Sequence, residues 1–133
     1  MTTRESRTLT VRIERDADAV YAFASQPENL PRWAAGLGRG VARQGEAWVV
    51  DTPMGRLRLW FAPPNAFGVL DHAVTLPDGA EVRIPMRVVP NGGGAEVMFT
   101  LFRQPSMSEA DFERDAGMVA ADLARLKRLL EAG

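Results

Sequence analysis

Between Ser106 and Glu131, large apolar residues and alanine recur at Phe112, Ala116, Val119, Leu123, Leu126 and Leu130, spaced 4, 3, 4, 3 and 4. That spacing draws one stripe along an α-helix, because residues three and four apart share a face. Ser108 followed by Asp111 is a short capping-box start, with Glu109 and Glu113 adding negative charge to the first turns; Lys127 and Arg128 stand near the end, so both ends suit the helix dipole. Burying its five large side chains at about 1.5–3 kcal/mol each gives an upper bound of roughly 8–15 kcal/mol before ordering entropy is subtracted. Such a seam needs a partner surface, and the chain before it must provide one.

The preceding residues supply short β segments. From Thr8 to Glu14, Leu9, Val11 and Ile13 alternate with polar residues, the pattern of a half-buried strand. Asp16 then offers an N-cap to a helix of two to three turns carrying Ala17, Val20, Tyr21, Phe23 and Ala24, and Pro27 begins a second brief helix that Trp33 closes. Gly36-Leu37-Gly38-Arg39-Gly40 reads as a turn into a strand. It is no dinucleotide fingerprint, since that motif needs a strand before it and a helix after it.

Val41–Arg43, Ala47–Thr52 and Arg56–Phe61 read as an antiparallel meander, with turns at 44–46 and at Pro53-Met54-Gly55. Leu57, Leu59 and Phe61 share one face of the last of these, with Arg56, Arg58 and Trp60 on the other. Trp48 shares its face with Val50. Gly68–Leu76 and Glu81–Val89 follow as further strands joined at Pro77-Asp78-Gly79, and Pro85 marks an edge or a bulge because it has no N–H to give to a ladder. The last strand, Ala95–Arg103, is apolar on both faces, which fits either a central strand or a surface for self-association.

That order, with Val11-Arg12-Ile13-Glu14-Arg15-Asp16-Ala17-Asp18-Ala19-Val20-Tyr21-Ala22-Phe23, Leu30-Pro31-Arg32-Trp33, Phe112-Glu113-Arg114-Asp115 and Asp122-Leu123-Ala124-Arg125-Leu126-Lys127, resembles the START-like superfamily. This superfamily, also called SRPBCC, has a Bet v 1-like helix-grip fold, and the likeness is to its polyketide cyclase/dehydrase and lipid-transport group. The resemblance spans essentially the whole chain and implies an α+β architecture. A curved antiparallel sheet of about six to seven strands would wrap around the long C-terminal helix, with two short helices after the first strand. It also implies a cavity between sheet and helix that in relatives holds an apolar or aromatic small molecule. These motifs are structural and leave the chemistry open.

Composition narrows the function classes. With 133 residues the expectation is one domain, residues 1–133, and a formal net charge of −1 gives no field for nucleic acid. The basic residues, all arginine except Lys127, are scattered. There is no cysteine, so thiol nucleophiles and thiolate metal sites are excluded, and a lone histidine leaves protein-held metal without a ligand set. No cofactor is expected. No stretch approaches the roughly 18 apolar residues of a membrane span, and the expectation is a cytoplasmic protein without stable membrane insertion. The preference for arginine over lysine, with abundant alanine, points to a GC-rich bacterial genome.

The ligand-contacting residues expected are Trp33, Leu59, His72, Met86, Phe99, Phe112 and Val119. Alternation places His72 with Leu70, Val74 and Leu76 on the face turned to the helix, where a neutral imidazole can orient a ligand or move a proton as general acid or base. Asp71 points to the opposite face and cannot orient that ring. The leading reading is a carrier or sensor that binds a small hydrophobic or aromatic molecule. One alternative is a cyclase or dehydratase using His72 catalytically, and another is a homodimeric interaction module whose interior is filled by its own side chains. The seam itself divides the first two from the third: Leu123, Leu126 and Leu130 are expected to pack as core, and the Phe112–Val119 half to border open space.

Overall fold

The computed structural model describes residues 2–37, 40–53 and 55–132, so the expected turn residues Gly38, Arg39 and Met54 lie outside the described residues. Strand β1 (Ser6–Ile13) is followed by helix α1 (Ala17–Ala24), by a 3-10 turn at Pro27–Asn29 that runs into helix α2 (Leu30–Trp33), and by a second 3-10 turn at Ala35–Leu37. Seven strands come next: β2 (Ala42–Gln44), β3 (Ala47–Thr52), β4 (Gly55–Phe61), β5 (His72–Thr75), β6 (Glu81–Ile84), β7 (Met86–Asn91) and β8 (Gly94–Phe102). Helix α3 (Glu109–Ala132) closes the chain. The architecture is α+β, a helix-grip fold.

The caps expected from sequence are made. Asp16 accepts a hydrogen bond from the Ala19 N–H (3.1 Å) at the start of α1. At α3 the Ser108 hydroxyl accepts from the Asp111 N–H (3.0 Å), while Asp111 accepts from the Ser108 N–H (3.4 Å). This reciprocal pair puts the helix start at Glu109 rather than Ser106.

The strands form two antiparallel ladders, β1-β8-β7 and β2-β3-β4-β5-β6. Eight strands appear where six to seven are expected, because one expected segment is split in two; a second is interrupted without adding a strand. The alternation of Glu81–Val89 continues unbroken through Pro85, but the missing N–H there divides it into β6 and β7. Gly68–Leu76 is divided at Asp71: Val69 bridges Arg87 of β7, whereas His72–Thr75 pair with β4 and β6. The ladders meet at this double break, where Leu70 N–H donates to Met86 O and Thr100 N–H donates to Pro85 O, each at 2.9 Å. Strand β8 is paired along both edges, to β1 and β7, so of the two readings of its apolar faces the central strand is the one observed.

Helix α3 is tied to β1 at both ends. Arg7 forms a bidentate pair with Glu113 near the helix start. Near its end, Lys127 donates to Arg12 O (2.7 Å), Arg15 to Leu130 O (3.0 Å), and the Glu14 N–H to the Glu131 carboxylate (2.8 Å). Between sheet and helices the core gathers Ile13, Val20, Val50, Val88, Val97, Leu123, Leu126 and Leu130. Leu126 and Leu130 are thus packed as the stripe requires, while Leu123, equally buried, also borders the cavity between sheet and helix.

Candidate functional site

The rest of the space between sheet and helices is a cavity of about 320 Å³. Its walls come from every layer of the fold: Leu30 and Trp33 of α2, Leu59 and Phe61 of β4, Leu70, His72 and Val74, Ile84 of β6, Met86 of β7, Phe99 of β8, and Asp115, Met118, Val119 and Asp122 of α3. Pairing register explains the convergence. Phe61 stands opposite His72 and His72 opposite Ile84, so three neighbouring strands place these side chains in one row on one face.

Trp33, Leu59, His72, Met86, Phe99 and Val119 all stand in this wall, and Phe112 does not. Phe112 is 1% exposed and sits beneath the Arg7 guanidinium, 5.4 Å from its ring centroid. Ala116 is 3% exposed, so the opening of the seam begins at its flank, with Asp115, Met118 and Val119, and excludes the start of the stripe. The helical stripe alone does not distinguish burial against a strand from burial against a cavity, since both demand apolar residues.

His72 lies between Phe61 (ring centroids 5.6 Å apart) and the edge-on ring of Phe99 (6.0 Å). Its Nδ1 is 3.0 Å from the Leu70 carbonyl oxygen; a carbonyl can only accept, so Nδ1 carries the proton and donates it. Burial disfavours the charged ring and lowers its pKa below the ordinary 6.5; the Leu70 carbonyl and Asp71 oppose this more weakly. Nε2 of the neutral ring is then an acceptor, and it has no hydrogen-bond partner among the described residues.

Asp71 is turned away, as alternation requires. Its carboxylate accepts from the Met86 N–H (2.8 Å) and from Arg87 (2.9 Å). His72 therefore has no carboxylate behind it, and the arrangement lacks the oriented base of a hydrolytic triad. Among the described residues no group of three or more His, Asp or Glu side chains is placed to hold a metal ion.

Two carboxylates reach the wall from α3, and sequence reasoning passed over both. Asp122 is engaged: it accepts from the Ala35 N–H and from Arg125, each at 3.1 Å, and Arg125 also donates to the Trp33 carbonyl at 2.8 Å. These bonds fasten the end of α2, and with it Trp33, to α3. Asp115 forms no hydrogen bond or ion pair among the described residues, and burial raises its pKa, helped by Asp111 and opposed by Arg114. The available signal was their spacing, since residues 115, 118, 119 and 122 follow one another at 3, 1 and 3 along the flank of the stripe. The Trp33 indole N–H is buried without a partner, an arrangement that costs roughly 1–3 kcal/mol.

No protein-family model and no curated protein matches the chain. Solved structures do. A START superfamily protein from Mycobacterium smegmatis superposes with a TM-score of 0.72 at 12% identity, covering 96% of this chain and 97% of that one. The Aha1 dimer from Colwellia psychrerythraea gives 0.72 at 16% identity, covering 96% of each chain. The protein XoxI from Bacillus cereus gives 0.75 at 13% identity and 94% of each chain. The fold of this protein is the START-like, SRPBCC fold. No helix among the described residues is long and apolar enough to cross a membrane.

Proposed function

We propose that this protein binds a small hydrophobic or aromatic molecule in the cavity between the sheet and α3, as a carrier or sensor. The observation that carries this reading is the cavity itself: about 320 Å³ that the protein's own side chains leave free, walled by aliphatic and aromatic groups with few polar atoms. Small-molecule sites have this composition, apolar walls for affinity and a few convergent polar groups for orientation. The START-like fold supports the reading at the level of architecture.

The enzymatic alternative has two groups in its favour, the free Nε2 of His72 and, in the same wall, the Asp115 carboxylate, unpaired among the described residues. No carboxylate orients the imidazole for proton transfer, since Asp71 is committed to Met86 and Arg87. Binding requires no such orientation. A homodimer is compatible with binding, and the dimeric assembly of Aha1 is its support; β8 offers no free edge for it.

Native mass spectrometry of the protein purified from its own host tests the proposal. A non-covalent adduct of a small apolar molecule, displaced when Val119→Trp fills the cavity, is the expected result. An adduct-free mass, together with no binding of apolar aromatic probes by the purified protein, overturns it.

A further inference from the structure

We propose that the cavity selects uncharged apolar molecules bearing one hydrogen-bond donor, a phenol or an alcohol, that donates to Nε2 of His72, and that it rejects carboxylates. This rests on the binding reading above and names the ligand class of the same site.

Three observations converge on it. First, the tautomer of His72 is set by the Leu70 carbonyl 3.0 Å from Nδ1, so the atom left over is an acceptor and demands a donor. Nε2 is not shut in by protein: among the described residues the buried side-chain polar atom without a partner is the Trp33 Nε1 alone. Second, Phe61 and Phe99 hold the ring with centroids at 5.6 and 6.0 Å, a setting that favours a flat aromatic body beside it and keeps the imidazole orientation fixed. Third, the wall contains no lysine or arginine, while Asp115 presents a carboxylate with no ion-pair partner among the described residues. A bound carboxylate would be a desolvated anion without a cation and with a like charge nearby, an arrangement that is disfavoured twice over. Burial, which keeps the imidazole neutral, removes the one cation the wall could have supplied.

The test compares three probes of one shape by isothermal titration calorimetry at neutral pH: 2-naphthol, which has the donor; 2-methoxynaphthalene, which lacks it; and 2-naphthoate, which carries the charge. The naphthol should bind about three- to tenfold more tightly than the ether, the net effect of one hydrogen bond, and at least about tenfold more tightly than the naphthoate. In His72→Phe, which keeps a flat ring and removes the acceptor, the ratio of naphthol to ether affinity should fall to about one, whatever the change common to both. Equal binding of naphthol and ether by the unaltered protein overturns the donor rule, and naphthoate binding as tightly as naphthol overturns the exclusion of anions; in both cases the cavity reading survives. If none of the three binds, the donor rule fails, and if the native mass is also adduct-free the binding reading fails with it. The unaltered protein alone decides these outcomes, so a poorly folded His72→Phe does not remove the test.

Discussion

The carboxylate of Asp71 accepts a hydrogen bond from the backbone N–H of Met86, 2.8 Å away, at the point where β6 gives way to β7. Pro85 interrupts the ladder and Asp71 provides the acceptor the next residue would otherwise lack. Met86 is 2% exposed, so its N–H has no ready recourse to water. Replacing Asp71 with Ala should cost roughly 1–2 kcal/mol in a denaturant melt, mostly from that unmet donor, since the partly exposed Arg87 pair adds little. Asp71→Asn keeps an acceptor and should recover most of the loss; equal losses in the two variants would mean that the ion pair is the larger part.

Gly68 carries a second joint of the same junction. Its φ is +71°, and a Cβ there would lie 2.0 Å from the backbone oxygen of Val88, whose N–H donates to Gly68 O. Gly68→Ala should therefore destabilise by clearly more than the roughly 1–2 kcal/mol of a left-handed residue alone. Gly79, at φ +91° with nothing within 4 Å, is the control: Gly79→Ala should show the backbone cost by itself. Thermal melts that rank the two variants equally would refute the close approach.

Helix α3 should respond unequally along its length. Leu126 is 0% exposed in the core, and Leu126→Ala should cost roughly 2–5 kcal/mol. Val119 borders the cavity, so Val119→Ala deletes fewer contacts and should cost roughly 1 kcal/mol or less. Similar losses from urea melts would show that the helix is packed uniformly.

Stability should fall as the pH drops below about 6.5, because the unfolded chain then takes up a proton on His72 that the folded chain refuses. The folded pKa is lowered, so the stability is present above the unfolded value and is lost on acidification; the slope approaches about 1.4 kcal/mol per pH unit at most. Asp111, Glu113 and Glu131, whose carboxyls are held below their ordinary range chiefly by side-chain bonds to Ser108, Arg7 and Lys127, add further loss only near pH 4 and lower. Asp115, raised by burial, acts in the opposite sense, favouring the folded state in acid. Removing the imidazole by His72→Phe should flatten the profile between pH 5 and 6.5 relative to the parent, as read from chemical denaturation at each pH.

What could be read from sequence was periodic or local. The α3 stripe, the Asp16 and Ser108 caps, and the placing of His72 with Leu70, Val74 and Leu76 all follow from spacings of two to four residues. Pro85 signalled an edge or a bulge, but the break at Asp71 and the meeting of the two ladders were not legible, because alternation runs straight through both and only pairing shows that the strand partners change there. The fastening of Trp33 by Arg125 spans 92 positions, beyond any local pattern. Phe112 was misplaced because an aromatic residue on a buried stripe looks the same beneath an arginine as beside a cavity.

The division of α3 bears on how such a chain can diverge. Leu126 and Leu130 anchor the fold, whereas Met118 and Val119 border the cavity, where a change of size alters the space for a ligand at a smaller cost to the core. Divergence at those wall positions can proceed while the folded population stays nearly constant, so a lineage can exchange one bound compound for another without first acquiring compensating substitutions in the core.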